Sequence, residues 1–204
     1  MSEIGFTITP TASVSPEQLA TLRHHYLTYV RSTGRDISRL HADLDAVYGT
    51  IDGLAHAGRL DDVVRRLHDC EHAVLFSTDA SALSLREFQQ EMLAEGRIVR
   101  LVTESSLERN GVRALGPNDL LVVVTTSGEF ARRQRALIDA SGAHKVLVSA
   151  TSAKDAHAPF DDVLLIGNGC SEGSSLHRIY ATYGVTYLFD CLFGLYALTY
   201  DNEL

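Results

Sequence analysis

The residues with the clearest chemical potential sit together in Leu120–Arg133, LLVVVTTSGEFARR, where an apolar run stops at Thr125-Thr126-Ser127-Gly128-Glu129 and a helical pattern follows. Three hydroxyls and a glycine at such a junction can form an anion cradle. Short side chains donate, and glycine lets the backbone approach closely or adopt an unusual φ. Glu129 suits the first turn of a helix and could contact a sugar hydroxyl. A plainer alternative stands beside this one: a strand-to-helix turn in which Ser127 is the N-cap.

The other reactive residue types are scattered. His24, His25, His41, His56, His68 and His72 invite a metal reading, yet His72 lies past the expected end of the helix that would carry it with His68 at i,i+4. Helix-end or surface histidines are the preferred reading, and no metal or cofactor is expected. Cys70, Cys170 and Cys191 are isolated thiols without CxxC spacing, which argues against a zinc site and a disulfide framework and fits a reducing cytoplasm.

Positioning the Thr125–Glu129 loop requires a buried strand. Five consecutive apolar residues, Leu120–Val124, describe a strand covered on both faces, as in a parallel sheet. Similar runs recur at Ala73–Ser77, Ile98–Val102, Lys145–Ser149 and Val163–Gly167, separated by helix-like segments at Ser81–Ala94, Phe130–Ala140 and Ser152–His157. Repeated strand-then-helix units need crossover connections. The expected fold is therefore α/β, a three-layer doubly wound sheet of five parallel strands in order 2-1-3-4-5. Ligands of such sheets collect at the carboxyl ends where the order reverses, here between the first and third strands.

Residues 1–14 read as irregular. Ser15-Pro16-Glu17 starts a helix expected to reach about Ser32, Gly34 interrupts it, and Asp36 opens a second in which Ile37, Leu40, Leu44, Val47 and Ile51 recur at helical spacing. Leu60, Val63, Val64 and Leu67 mark a third. Residues 15–69 are thus a helical extension before an α/β domain of 70–204. The last element, Gly173–Tyr200, is apolar around most of its circumference and is expected either to be buried within the monomer or to pack against a second subunit as a homodimer.

Composition narrows the classes of function. With 18 Lys+Arg against 26 Asp+Glu the formal charge is −8, which repels a nucleic-acid backbone, and Arg132, Arg133 and Arg135 read as a solvated helix face. Hydrophobic residues at 45% and charged ones at 22% are those of a soluble globular protein. No signal peptide is evident, and no apolar run reaches the roughly 18 residues that would span a membrane.

Thr125-Thr126-Ser127-Gly128-Glu129 resembles the S-x-S-G-E-T loop of sugar isomerase (SIS) domains, and Gly142–Val148 resembles the helix end and fourth strand that follow it. Ser174–Tyr180 running into Leu188–Phe193 is similar to the final helix of the effector domains of RpiR/MurR-type transcriptional regulators. The likeness covers roughly residues 40 to 200. It implies a phosphosugar-binding domain in which Thr125, Ser127 and Gly128 contact the phosphate. The family's other phosphate loop corresponds to Ser77-Thr78-Asp79-Ala80-Ser81, without its two glycines. The ligand set that follows is Ser77, Thr78, Ser81, Thr125, Thr126, Ser127, Gly128, Glu129, Glu172 and Ser174. Asp79 would repel a phosphate beside it, and Phe130 stands where the family loop has threonine, so the resemblance implies an altered pocket.

Three functions compete. As a sensor, the chain binds a sugar phosphate or related anionic metabolite for an RpiR-type regulator. It is not expected to bind DNA itself, because no counterpart of the family's N-terminal helix-turn-helix is recognisable and residues 1–60 show no basic face. As an isomerase it would need a base, for which Glu129, Glu172 and His177 are the candidates. As an interaction module, its pocket is vestigial and the last helix mediates assembly.

Overall fold

The structure, a computed structural model, describes residues 37–167 and 175–201 with the isolated positions 20, 23, 24 and 27. The expected irregular segment 1–14 and most of the expected helix 15–32 lie outside the described residues. Two helices come first, α1 (Ile37–His56) and α2 (Arg59–Asp69). Then β1 (Ala73–Ser77), α3 (Asp79–Ala94) and β2 (Val99–Thr103) are followed by a 3-10 segment, Leu107–Ala114. The remainder is β3 (Leu120–Thr125), α4 (Glu129–Arg133), α5 (Arg135–Ala140), β4 (His144–Ser149), α6 (Lys154–His157), β5 (Asp162–Leu165) and α7 (Ser175–Tyr200).

All five strands pair in parallel, in the order β2-β1-β3-β4-β5. The sequence expectation holds, and burial shows why: every residue of β1 and β3 is covered, as strands flanked on both faces require. Side-chain alternation divides the sheet into two cores. Leu75, Leu120, Val122, Val124, Val146, Val148 and Leu164 face the layer of α1, α2, α3 and α7. Val74, Phe76, Val102, Leu121, Val123 and Leu147 face Phe130, Ala131, Leu137 and Ile138 of α4 and α5, with Val112 of the 3-10 segment.

Helices α1 and α2 are part of the first core. Ile51, Leu60, Val63, Val64 and Leu67 are buried with Val185, Leu188, Phe189 and Leu192 of α7. Gly184 sets the approach of α7 to α1, since a Cβ there would lie 2.7 Å from Val47 Cγ1. Tyr187 adds a polar tie by donating to Asp52 Oδ1 at 2.8 Å while its ring lies against Tyr48.

The last helix is long, as expected, but not uniformly covered. Val185, Leu188, Phe189, Leu192 and Tyr196 are buried within the monomer, whereas Thr182, Tyr183, Asp190, Leu198 and Thr199 are exposed. Two other features differ from the sequence reading. The helix expected over Phe130–Ala140 breaks at Gln134 into α4 and α5, and the crossing from β2 to β3 carries a 3-10 segment where no element was expected. No described helix is long and apolar enough to cross a membrane.

Candidate functional site

Parallel pairing sets the carboxyl ends of β1, β3 and β4 level, with Ser77 opposite Val124 and Thr125 opposite Ser149. Six buried hydroxyl residues gather along this edge: Ser77, Thr78, Thr125, Thr126, Ser149 and Thr151. Hydroxyls suit such a position because, unlike carboxylates or amines, they enter a protein interior without a charge to desolvate and can both donate and accept.

The third-strand loop is built around Gly128. Its φ of 80° lies in the left-handed region, and a Cβ there would meet Thr151 Cγ2 at 2.9 Å and Ala156 Cβ at 3.1 Å. Glycine is thus required twice, for conformation and for space. The Gly128 N–H donates to Thr125 Oγ1 at 3.2 Å, closing the turn, and the Glu129 N–H lies 3.4 Å from Ser127 Oγ. Gly128, not Ser127, is the N-cap of α4. The turn alternative therefore takes a different form, in which Ser127 precedes the cap.

The first-strand loop is organised differently. Thr78 is the N-cap of α3, with its Oγ1 accepting from the Ser81 N–H at 3.2 Å and donating to Ser81 Oγ at 3.0 Å. Ser77 is buried and donates to the Thr78 carbonyl. Both features expected to disturb the pocket are directed elsewhere. Asp79 Oδ1 accepts from Ser105 Oγ at 2.7 Å, beyond the end of β2. Phe130 is fully buried beneath the sheet, edge-on to Phe76 at 4.8 Å between ring centroids, a packing worth about 0.5–1.5 kcal/mol beyond burial.

Ser149 and Thr151 are additions that the sequence reading missed. Ser149 Oγ accepts from the Thr151 N–H at 3.2 Å, and Thr151 Oγ1 accepts from the Ala153 N–H at 3.3 Å. The available signal was the Ser149-Ala150-Thr151-Ser152 run after the fourth strand, the same kind of stop that marks the third.

Arg132 spans the two loops. It donates to Glu129 Oε1, and to Asp155 Oδ2 on α6 at 3.1 Å. The bond to Glu129, followed by that to Asp155, raises the pKa of Arg132, and the Arg132 bond lowers that of Asp155. Arg133 pairs with Glu104 at 3.0 Å and Arg135 with Asp139 at 2.8 Å, so the basic stretch after the loop is matched by acids. Among the isomerase candidates, Glu129 is thereby engaged. Glu172 and Ser174 lie outside the described residues, and of His177 only the helical backbone is described.

The opposite edge of the sheet carries a buried carboxylate, Asp119. Asp119 Oδ1 accepts from His72 Nδ1 at 2.8 Å and from the His72 N–H at 3.1 Å, while Oδ2 accepts from the Gly116 N–H at 2.7 Å. Burial works to raise the pKa of Asp119, but the bonds from Gly116 and His72 together outweigh it and hold the carboxyl below its ordinary value. Glu71, His72 and Asp119 could each offer a ligand atom within 4.8 Å of the others, but the bonds already made by Asp119 give it a structural role. His68 does not join them. It stacks on Tyr200 with ring centroids 3.7 Å apart.

No family model matches the chain, and no curated protein matches it by sequence. Solved structures do match by shape. The sugar isomerase domain of an RpiR transcription factor from Sphaerobacter thermophilus is 17% identical, with a TM-score of 0.61 over 78% of this chain and 88% of that one. The Vibrio vulnificus NanR protein, complexed with ManNAc-6P, is 17% identical with a TM-score of 0.61 over 88% of this chain and 69% of its own. A Methanococcus jannaschii protein whose structure infers a 3-hexulose-6-phosphate isomerase function is 12% identical, with a TM-score of 0.58 over 81% and 94%. The chain has the fold of sugar isomerase domains, the architecture that the loop and final-helix resemblance implied.

Proposed function

We propose that this chain, having the sugar isomerase fold, binds a sugar phosphate or related anionic metabolite at the carboxyl edge of its sheet and acts as the sensor part of an RpiR-type transcriptional regulator. The observation that carries this reading is the edge itself: Ser77, Thr78, Thr125, Thr126, Ser149 and Thr151 gather beside the Gly128 turn, at the switch between β1 and β3. Hydroxyl and backbone donors bind phosphate without a cationic side chain. The ligand set is Ser77, Thr78, Ser81, Thr125, Thr126, Ser127, Gly128 and Glu129, with Glu172 and Ser174. Thr78 and Ser81 act partly by holding the start of α3.

The bond of Glu129 to Arg132 favours binding over catalysis, because it occupies the carboxylate that would have to reach a substrate proton. We also propose a cytoplasmic homodimer assembled through the exposed residues of α7, with DNA contacted by another part or partner of the regulator. An excess of acidic residues supports that division of labour.

Thermal unfolding with a panel of sugar phosphates, N-acetylmannosamine 6-phosphate among them, tests the reading. A ligand at a hundred times its Kd stabilises the folded chain by about 2.7 kcal/mol. Absence of a shift with every member, for a chain that unfolds cooperatively, contradicts the proposal. Conversion of a shifting ligand, lost in Glu172→Gln, favours the isomerase.

A further inference from the structure

The crossing from β2 to β3 covers the second face of the sheet with a 3-10 segment rather than a full α-helix, and a cavity of 550 Å³ remains beneath it. That volume falls within the range of small-molecule sites, about 300–1,000 Å³. Its apolar lining is Val74 of β1, Val102 of β2, and Val112 and Leu115 at the end of the crossing. Arg100 and Glu108 share the lining with Asp119 and His72. Arg100 lies opposite Val74 in the strand register and two residues before Val102, so it projects from the same face, while Glu108 comes from the crossing itself.

Neither Arg100 nor Glu108 enters an ion pair among the described residues, although both line one cavity. Asp119, at one end, already accepts from His72 and Gly116. A guanidinium and a carboxylate that do not pair with one another, above an apolar floor, complement a small molecule that carries both charges and an apolar body. We propose that this cavity binds a free apolar amino acid, with its carboxylate on Arg100, its ammonium on Glu108 and its side chain against Val74, Val102, Val112 and Leu115. The site is separate from the hydroxyl edge and does not rest on the function proposed for it.

Calorimetric titration of the full chain with L-leucine and L-phenylalanine tests the site, with leucinamide and 4-methylpentanoate as probes lacking the carboxylate or the ammonium. Leucine is expected to bind, and each analogue to bind at least roughly tenfold more weakly, the effect of losing one hydrogen bond to a charged group. Arg100→Gln and Glu108→Gln each remove one partner from an exposed position, so both variants should retain the wild-type circular dichroism and lose leucine affinity by roughly the same factor. Lack of binding to the folded chain at millimolar concentration overturns the proposal. So does leucine binding unchanged in either variant, or 4-methylpentanoate binding as well as leucine, which would make the occupant a simple anion.

Discussion

The two edges of the sheet solve different problems with different chemistry. At the amino edge carboxylates meet fixed partners: Asp119 is bonded by His72, and Asp162 Oδ2 by His144 Nε2 at 2.8 Å, while Arg59 lies 3.5 Å from Asp162 Oδ1. At the carboxyl edge the buried polar groups are hydroxyls, and Arg132, beside Gly128, is held by Glu129 and Asp155. A buried charge needs a fixed partner, and once it has one it is committed to structure. A hydroxyl keeps both donor and acceptor capacity when it enters a turn, so an edge built of hydroxyls can hold its loops and still receive a ligand. On the proposed reading, abundance of titratable groups is a poor guide to the binding edge.

The sharpest way to break the contrast is Gly128→Ala. A left-handed φ of 80° and a contact at 2.9 Å with Thr151 should together cost about 2–3 kcal/mol in urea unfolding and disorganise the hydroxyl edge without touching the charged one.

Asp119→Asn tests the amino edge. Three bonds converge on this carboxylate, and loss of its charge should cost about 2 kcal/mol. The sign of the pH dependence follows from its lowered pKa. The stabilisation is present above the ordinary Asp range and is lost as the pH falls through the folded-state value. Wild-type stability should therefore decline on acidification more steeply than that of the variant, as read by chemical unfolding across the acid range, and ligand affinity at the opposite edge should be unchanged.

Ser127→Ala sharpens the comparison from the other side. It removes a half-buried hydroxyl of the proposed ligand set, so affinity for any sugar phosphate that shifts the wild type should fall roughly tenfold by calorimetry, a larger loss than that of stability read by thermal unfolding. Equal losses of stability and affinity would assign the residue to the turn alone. Arg132→Gln should have the smallest effect on stability, below about 1 kcal/mol for a partly exposed network, measured by thermal unfolding.

Much of this was legible along the chain. Uninterrupted runs such as Leu120–Val124 leave a strand little choice but to be covered on both faces, and alternation of such runs with helical segments leads to the parallel order that β1 to β5 adopt. The loop at Thr125–Glu129 could be found because apolar character stops there abruptly. The contribution of Ser149 and Thr151 was not, since it comes from the lateral pairing of β3 with β4. The 3-10 crossing also escaped notice. Leu107–Ala114 is short and charge-rich, and only Val112 within it is buried, too little to produce a period.

By itself the sequence determined the α/β class, the strand order and the loop that follows β3. These follow from local composition and from rules that connect one element to the next. The tertiary structure decided where side chains point: Asp79 turns to Ser105, Phe130 goes into the second core, Arg132 is shared between Glu129 and Asp155, and Arg100 and Glu108 line a common cavity without pairing. The physical reason is that direction and partnership depend on residues distant in the chain that pairing and packing bring within bonding range, and no local pattern records them.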